Sequence, residues 1–130
     1  MTIDEFLDTA RAELRRVEPR EADALRREGA LLVDIRPWHN RNEEGEIPGS
    51  VVIERIVLEW RLDPRGSHRL PGIAEDTVVI LLCNEGYASS LAARDVKRIG
   101  LRNATDLVGG FRAWAAAGLP VRDGASKAIT

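Results

Sequence analysis

Cysteine is almost missing from this chain: Cys83 is the one example in 130 residues. A disulfide within the chain is therefore excluded, and so is a cluster of thiolates around a metal. Histidine is nearly as scarce. His39 and His68 both lie among polar neighbours, so no protein metal site is expected. Neither sign of charge prevails, with 19 basic residues against 21 acidic ones and a net charge of −2. That balance removes electrostatics as a reason to expect nucleic acid or an anionic membrane as a partner. No apolar run approaches the roughly 20 residues of a bilayer span. The opening Met1-Thr2-Ile3-Asp4-Glu5 lacks the basic-then-apolar form of a signal peptide, so the expected compartment is the cytoplasm. Internal repeats and low-complexity segments are absent.

What remains is a composition suited to one folded domain, 44% hydrophobic and 31% charged. Thr2 to Arg16 reads as an amphipathic helix, with Phe6, Ala10 and Leu14 on one stripe and Thr2 and Glu5 at capping-box spacing. This N-terminal helix, residues 1–16, is set apart from a main domain over 17–121. Residues 122–130 lack periodicity and are expected to fray as a flexible tail. Within the domain, Pro19 opens a helix that runs to Glu28. The apolar runs Ala30–Ile35, Ser50–Ile53, Thr77–Leu82 and Thr105–Val108 read as strands. Arg36 to Glu46 is expected to be a loop or irregular helix, and a brief helical turn carries Ile56, Val57 and Trp60. Further helices begin at Ser89 or Ser90, one of which caps the first of them, and after Gly109-Gly110. Trp60 and Trp114 fall on helical patterns and are assigned to the core. Trp38 sits in a polar stretch, where it rims a pocket or fills a gap. Strands alternating with helices across long crossovers predict an α/β domain with a mainly parallel central sheet flanked by helices on both faces.

Chemistry has to pass through Cys83. It directly follows the strongest strand, and a helix begins about six residues later. Ligands of open α/β sheets collect at such strand ends. The segment Cys83-Asn84-Glu85-Gly86-Tyr87-Ala88-Ser89 is expected to curl over the strand end, with Gly86 permitting the turn. Successive amides in such a loop converge into an anion nest, which favours a thiolate and can hold a persulfide sulfur bound to it. The competing reading is an inert cysteine serving as a small core hydrophobe.

Four stretches resemble the rhodanese-like sulfurtransferase family in the expected order. Leu32-Val33-Asp34-Ile35-Arg36 resembles its strand ending in Asp-x-Arg. Gly45-Glu46-Ile47-Pro48-Gly49-Ser50 is similar to its Gly-His-Ile-Pro-Gly-Ala turn. Cys83-x-x-Gly86-x-Ala88-Ser89 resembles its Cys-x-x-Gly-x-Arg-Ser/Thr loop, and Gly109-Gly110 with Trp114 resembles its closing motif. The resemblance implies a three-layer rhodanese-like fold and a sulfurtransferase that uses no cofactor. A sulfane sulfur from thiosulfate or a persulfide donor, a protein persulfide included, would load onto Cys83. It would then pass to a thiol or a cyanide-like acceptor. Cys83 carries over as nucleophile, the residues Asn84, Glu85, Gly86, Tyr87, Ala88 and Ser89 as the donor-binding cradle, and Asp34 and Arg36 as supports. A monomer or a homodimer is expected.

Three departures from the family pattern lower the expected turnover of thiosulfate. Ala88 stands at the usual arginine, Glu85 adds negative charge to the loop, and Glu46 replaces the histidine of the turn. Arg55, Arg61, Arg65 and Arg69 are candidates to supply the missing charge from the long loop. Tyr87 either lines the donor pocket or packs as a lid. Two other readings share the architecture: a non-catalytic module for partner binding or sulfur carriage, and a cysteine phosphatase or arsenate reductase. The second requires a longer loop ending in arginine, which is not present.

Overall fold

Val33 and Leu32 point to opposite faces of one strand, and both are buried. In the computed structural model, which describes residues 1–130, β1 (Leu31–Asp34) is a central strand of a four-stranded parallel sheet. The strand order is β2 (Val51–Val52), β1, β3 (Val79–Leu82), β4 (Ala104–Asp106). Leu31 pairs with Val79 and Asp34 with Leu82, so β1 and β3 end side by side. All four residues of β3 are buried, as expected of a strand covered on both faces.

Helices cover both faces. On one, Val33, Val79 and Leu81 pack with Leu58 and Leu62 of α4 (Leu58–Leu62) and with Ala92, Ala93 and Val96 of α5 (Ala88–Ile99). On the other, Leu32, Ile80 and Leu82 pack with Ala22 of α2 (Pro19–Arg27) and with Phe111 and Trp114 of α6 (Gly110–Ala116). The last two helices are α1 (Ile3–Arg11), which lies against α5, and α3 (Trp38–Glu44), in the stretch expected to be loop or irregular helix. A short 3-10 turn over Arg55–Val57 leads into α4. No helix is long and apolar enough to cross a membrane.

Several sequence expectations are corrected. The first helix starts as predicted, with the Thr2 hydroxyl accepting from the Glu5 amide, but it stops at Arg11 rather than Arg16. The chain beyond it must extend, because Val17 pairs alongside Leu107 and continues the sheet edge. Trp114 is fully buried, whereas Trp60 is 61% exposed and not a core residue. The α4 segment is only five residues long, too short for its spacing to define a buried face.

Nor does the tail fray. Arg122 and Glu46 exchange backbone hydrogen bonds at 2.8 Å each, and Ile129 bonds to Val52 and Glu54 beside Ile53. Glu46 is fully buried and anchors this stretch. Its carboxylate accepts from Arg41 at 2.7 Å, from Arg122 at 2.7 Å, and from the Ser126 hydroxyl and amide at 2.8 and 3.0 Å. Glu46 is thus a structural node, and its carboxylate makes no hydrogen bond to the loop after Cys83.

Candidate active site

The connection after β1 leads to β2 on one side, and the one after β3 leads to β4 on the other. Parallel sheets open a crevice at such a divergence. Here it is a cleft of about 340 Å³, lined by Ile35, Arg36 and Pro37 after β1 and by Cys83, Asn84, Glu85, Tyr87 and Ala88 after β3. Cys83 is half-buried and opens onto this cleft.

The loop after Cys83 curls back over the sulfur. Gly86 N–H donates to Cys83 Sγ at 3.2 Å and Ser89 N–H at 3.4 Å. Gly86 adopts φ +86°, and a Cβ there would lie 2.8 Å from the Gly109 nitrogen, so only glycine fits. The remaining amides are aimed from behind. Phe111 N–H donates to the Cys83 carbonyl at 2.9 Å and Arg112 N–H to the Asn84 carbonyl at 3.1 Å. A trans peptide sets its N–H opposite its C=O. Fixing these two carbonyls on the start of α6 therefore turns the Asn84 and Glu85 amides the other way. Those amides, and those of Tyr87 and Ala88, have no acceptor within the protein. The loop that follows the thiol therefore keeps four unclaimed donors, the kind of group from which an anion nest can be built.

Ser89 does not cap the helix as expected. It lies inside the first turn of α5, which begins without a side-chain cap at Tyr87. Its buried hydroxyl donates to Asp106 Oδ2 at 2.8 Å, which leaves its oxygen to accept from the Cys83 thiol at 3.3 Å. Asp106 is fully buried and also accepts from Ser90 Oγ at 2.8 Å and from Arg16 Nε at 2.8 Å.

Asp34 and Arg36 form a buried pair at 2.8 Å. Arg36 also donates to the Gly45 carbonyl at 2.7 Å and to Asn84 Oδ1 at 3.4 Å, and its guanidinium covers Phe111 at 3.9 Å. It therefore ties β1, the end of α3 and the cysteine loop together. Asn84 Nδ2 reaches Glu44 Oε2 at 2.9 Å. Hydrogen bonds from Arg112 and then from Asn84 hold the Glu44 carboxyl below its ordinary value. Glu85 lines the cleft and pairs with Arg112 at 2.8 Å, which compensates its charge.

Of the four candidate arginines, Arg55 lines the cleft with Cys83, while Arg61 is turned to the carbonyls of Thr130 and His68. Arg55 is held by Glu59 at 2.8 Å. Tyr87 is 61% exposed at the cleft wall, not packed down as a lid. Trp38 is also exposed, on a neighbouring depression shared with Arg36 and Arg55. Sequence reasoning missed Arg11, Arg16, Asp106, Glu44 and Arg112. No spacing could have flagged them, since each reaches the loop from a distant segment.

The family model described as Rhodanese-like domain matches residues 18–117. The chain is 30% identical over 106 residues to the thiosulfate sulfurtransferase GlpE of Stutzerimonas stutzeri, covering 78% of this chain and 85% of that protein. It is 33% identical over 104 residues to the adenylyltransferase and sulfurtransferase MOCS3-2 of Zea mays. That match covers 78% of this chain but only 21% of the plant protein, so the chain spans about a fifth of its length. A solved structure from Rhodopseudomonas palustris, described as a protein of unknown function and possible tyrosine phosphatase, superposes with a TM-score of 0.84. The two are 33% identical, with 94% of this chain and 95% of that one covered.

Proposed function

Since the chain belongs to the rhodanese-like domain family, we propose that it is a sulfurtransferase working through a persulfide on Cys83. The observation that carries this reading is the curl of the loop. Gly86 and Ser89 donate to Sγ, and four further amides are left without acceptors beside an open cleft.

In the first half-reaction the Cys83 thiolate attacks the sulfane sulfur of a donor. A new S–S bond forms to Cys83, the donor's S–S bond breaks, and the leaving group departs with the electron pair, as sulfite from thiosulfate or as a thiolate from a persulfide. The perthiolate left behind carries its charge on the outer sulfur, where amide donors hold it without reacting. In the second half-reaction a thiolate or cyanide-like acceptor takes that sulfur, and the Cys83 thiolate is regenerated. Neither step needs a metal, a cofactor or a second cysteine. Splitting one transfer into two in this way predicts ping-pong kinetics.

Charge sets the donor preference. The loop has a methyl group at Ala88, and Arg55 is already engaged by Glu59. A thiosulfate dianion finds there only cations already paired with carboxylates, Arg36 with Asp34 and Arg55 with Glu59, whereas a glutathione or cysteine persulfide brings less charge to the reacting end. Persulfide donors, including a protein persulfide, are therefore favoured over thiosulfate.

The test is intact mass after exposure to thiosulfate, glutathione persulfide, cysteine persulfide and an aryl phosphate. A gain of one sulfur is expected, fastest with the persulfides, lost in Cys83→Ala and discharged by added thiol. Retained turnover in Cys83→Ala sinks the mechanism. No adduct with any sulfur donor favours a partner-binding module, and Cys83-dependent hydrolysis of the aryl phosphate favours a phosphatase.

A further inference from the structure

Two arginines from outside residues 18–117 reach the cysteine loop. Arg11 is the last residue of α1, and Arg16 lies in the extended stretch before Val17. Arg11 Nη2 donates to the Gly86 carbonyl at 2.7 Å, and Arg16 Nη2 donates to the same oxygen at 3.0 Å. Arg11 Nε also donates to Ser90 Oγ at 3.1 Å, and its guanidinium lies 5.7 Å from the centre of the Tyr87 ring.

We propose that Arg11 and Arg16 are positioning residues for the chemistry of Cys83: their joint grip on the Gly86 carbonyl aims the Tyr87 amide into the cleft and fixes the curl of the loop. The proposal deepens the reading of Cys83 as a nucleophile and rests on it.

The geometry leaves this carbonyl dependent on side chains. The Cys83 and Asn84 carbonyls are taken by main-chain donors of α6. Gly86 has turned the chain away from that helix, so its oxygen finds no main-chain donor at all. Two guanidiniums bind it instead, with Ser90 Oγ, whose shorter bond goes to Asp106, further off at 3.5 Å, and charged donors make the stronger hydrogen bonds. The Tyr87 N–H, on the opposite side of the same peptide, has no acceptor in the protein. Polarising the carbonyl at one end also strengthens the donor at the other.

The partners of the two arginines point the same way. Arg16 is oriented by Asp106, the carboxylate that also holds Ser89 and Ser90 in place. Arg11 has no carboxylate partner, and every hydrogen bond its side chain makes goes to the loop or to the start of α5. The segment that carries both arginines is itself docked, through buried Leu7 and Ala10, a bond from Lys97 Nζ to the Glu13 carbonyl at 2.6 Å, and an ion pair between Arg98 and Glu13.

The experiment compares Arg11→Gln, Arg16→Gln and the double variant with the unaltered protein in two assays. One is the rate of Cys83 alkylation by neutral iodoacetamide, which transfers no sulfur. The other is the rate of sulfur loading from glutathione persulfide. Circular dichroism and thermal unfolding report the fold. Asp23→Asn removes a buried carboxylate paired with Arg26 and Arg27 on α2 and serves as the control for general loosening. The double variant is expected to slow both reactions by about tenfold or more, and each single variant by about threefold, because one charged donor remains. Asp23→Asn is expected to leave both rates unchanged. Arg11→Lys, which keeps the charge without the fork, is expected to recover part of the loss. Should the double variant not fold, the single variants decide.

Folded arginine variants whose alkylation rate stays within about twofold of the unaltered protein overturn the proposal. An equal slowing in Asp23→Asn overturns it too. If alkylation falls as expected but no donor ever loads sulfur onto the unaltered protein, the sulfurtransferase reading fails and the positioning role stands.

Discussion

Ala88 places a methyl group on the wall of the cleft that holds Cys83, at the point where its family pattern has a guanidinium. The nearby cation, Arg55, divides its attention between Glu59 at 2.8 Å and Asp95 at 3.8 Å. Ala88→Arg is expected to raise kcat/KM for thiosulfate by about tenfold relative to cysteine persulfide, since a hydrogen bond to a charged group contributes about 1.5–3 kcal/mol. The measurement is the ratio of the two specificity constants; an unchanged ratio would place the dianion away from position 88. At this scale the sequence was partly legible. Cys83 could be found because one residue type is scarce and sits at the end of an unmistakable strand. Ser89 was found but misread, because a serine just before a helix resembles a cap unless one knows that Asp106 lies across from it. Arg11, Arg16 and Asp106 could not be found, since the contacts that matter join residues 16 to 90 positions apart.

Among the elements, α6 has a second use beyond burying Phe111 and Trp114. Its first amides hold the carbonyls of the cysteine loop, so the helix start and the loop are one unit. Gly110 makes the approach possible. It has φ +63°, and a Cβ there would fall 2.5 Å from the Cys83 oxygen and 2.7 Å from the Asn84 carbon. Gly110→Ala is therefore expected to push the loop off the helix. Unfolding free energy should drop by about 1–3 kcal/mol from the strained backbone, and sulfur loading should fall far more than that loss of stability explains. Loading rate and thermal unfolding measured on one sample separate the two effects. Loading at the normal rate would mean that the loop does not need α6. The four strands could be read from β-branched apolar runs because parallel strands are buried on both faces. Their ends could not, since a residue counts as strand only where a neighbour lies beside it: Ser50 falls outside a β2 of two residues, and Ile53 pairs only as an isolated bridge to Ile129. The reach of α1 was overestimated for a related reason. Leu14 continues the apolar stripe, yet it is partner pairing at Val17 that decides the backbone there.

The molecule as a whole is closed by Glu46, which joins the turn after α3 to the last stretch of chain. Burial acts to raise its carboxyl, but the hydrogen bonds from Arg41 and from Ser126 outweigh it and hold the group below its ordinary value of 4.5. A carboxyl depressed in the folded state adds stability that is fully present above its unfolded value and is lost as pH falls through the folded one. Acid unfolding is thus expected to steepen below about pH 4.5, and Glu46→Gln should flatten that limb. At neutral pH the same substitution is expected to cost about 3–5 kcal/mol, because Arg41 would be left buried without its counter-charge. Urea unfolding across a pH series checks both. None of this was visible in residues 122–130, whose lack of periodicity says only that they form no regular element. Their attachment depends on a carboxylate in a turn about 80 residues earlier. A lone thiol has its own consequence at this scale. On the proposed reading, a sulfur parked on Cys83 has no neighbouring cysteine to collapse onto, so the charged enzyme cannot idle back to rest unaided. It keeps its cargo until another molecule arrives to collect it, and its lifetime in that form becomes a gauge of how much acceptor its surroundings hold.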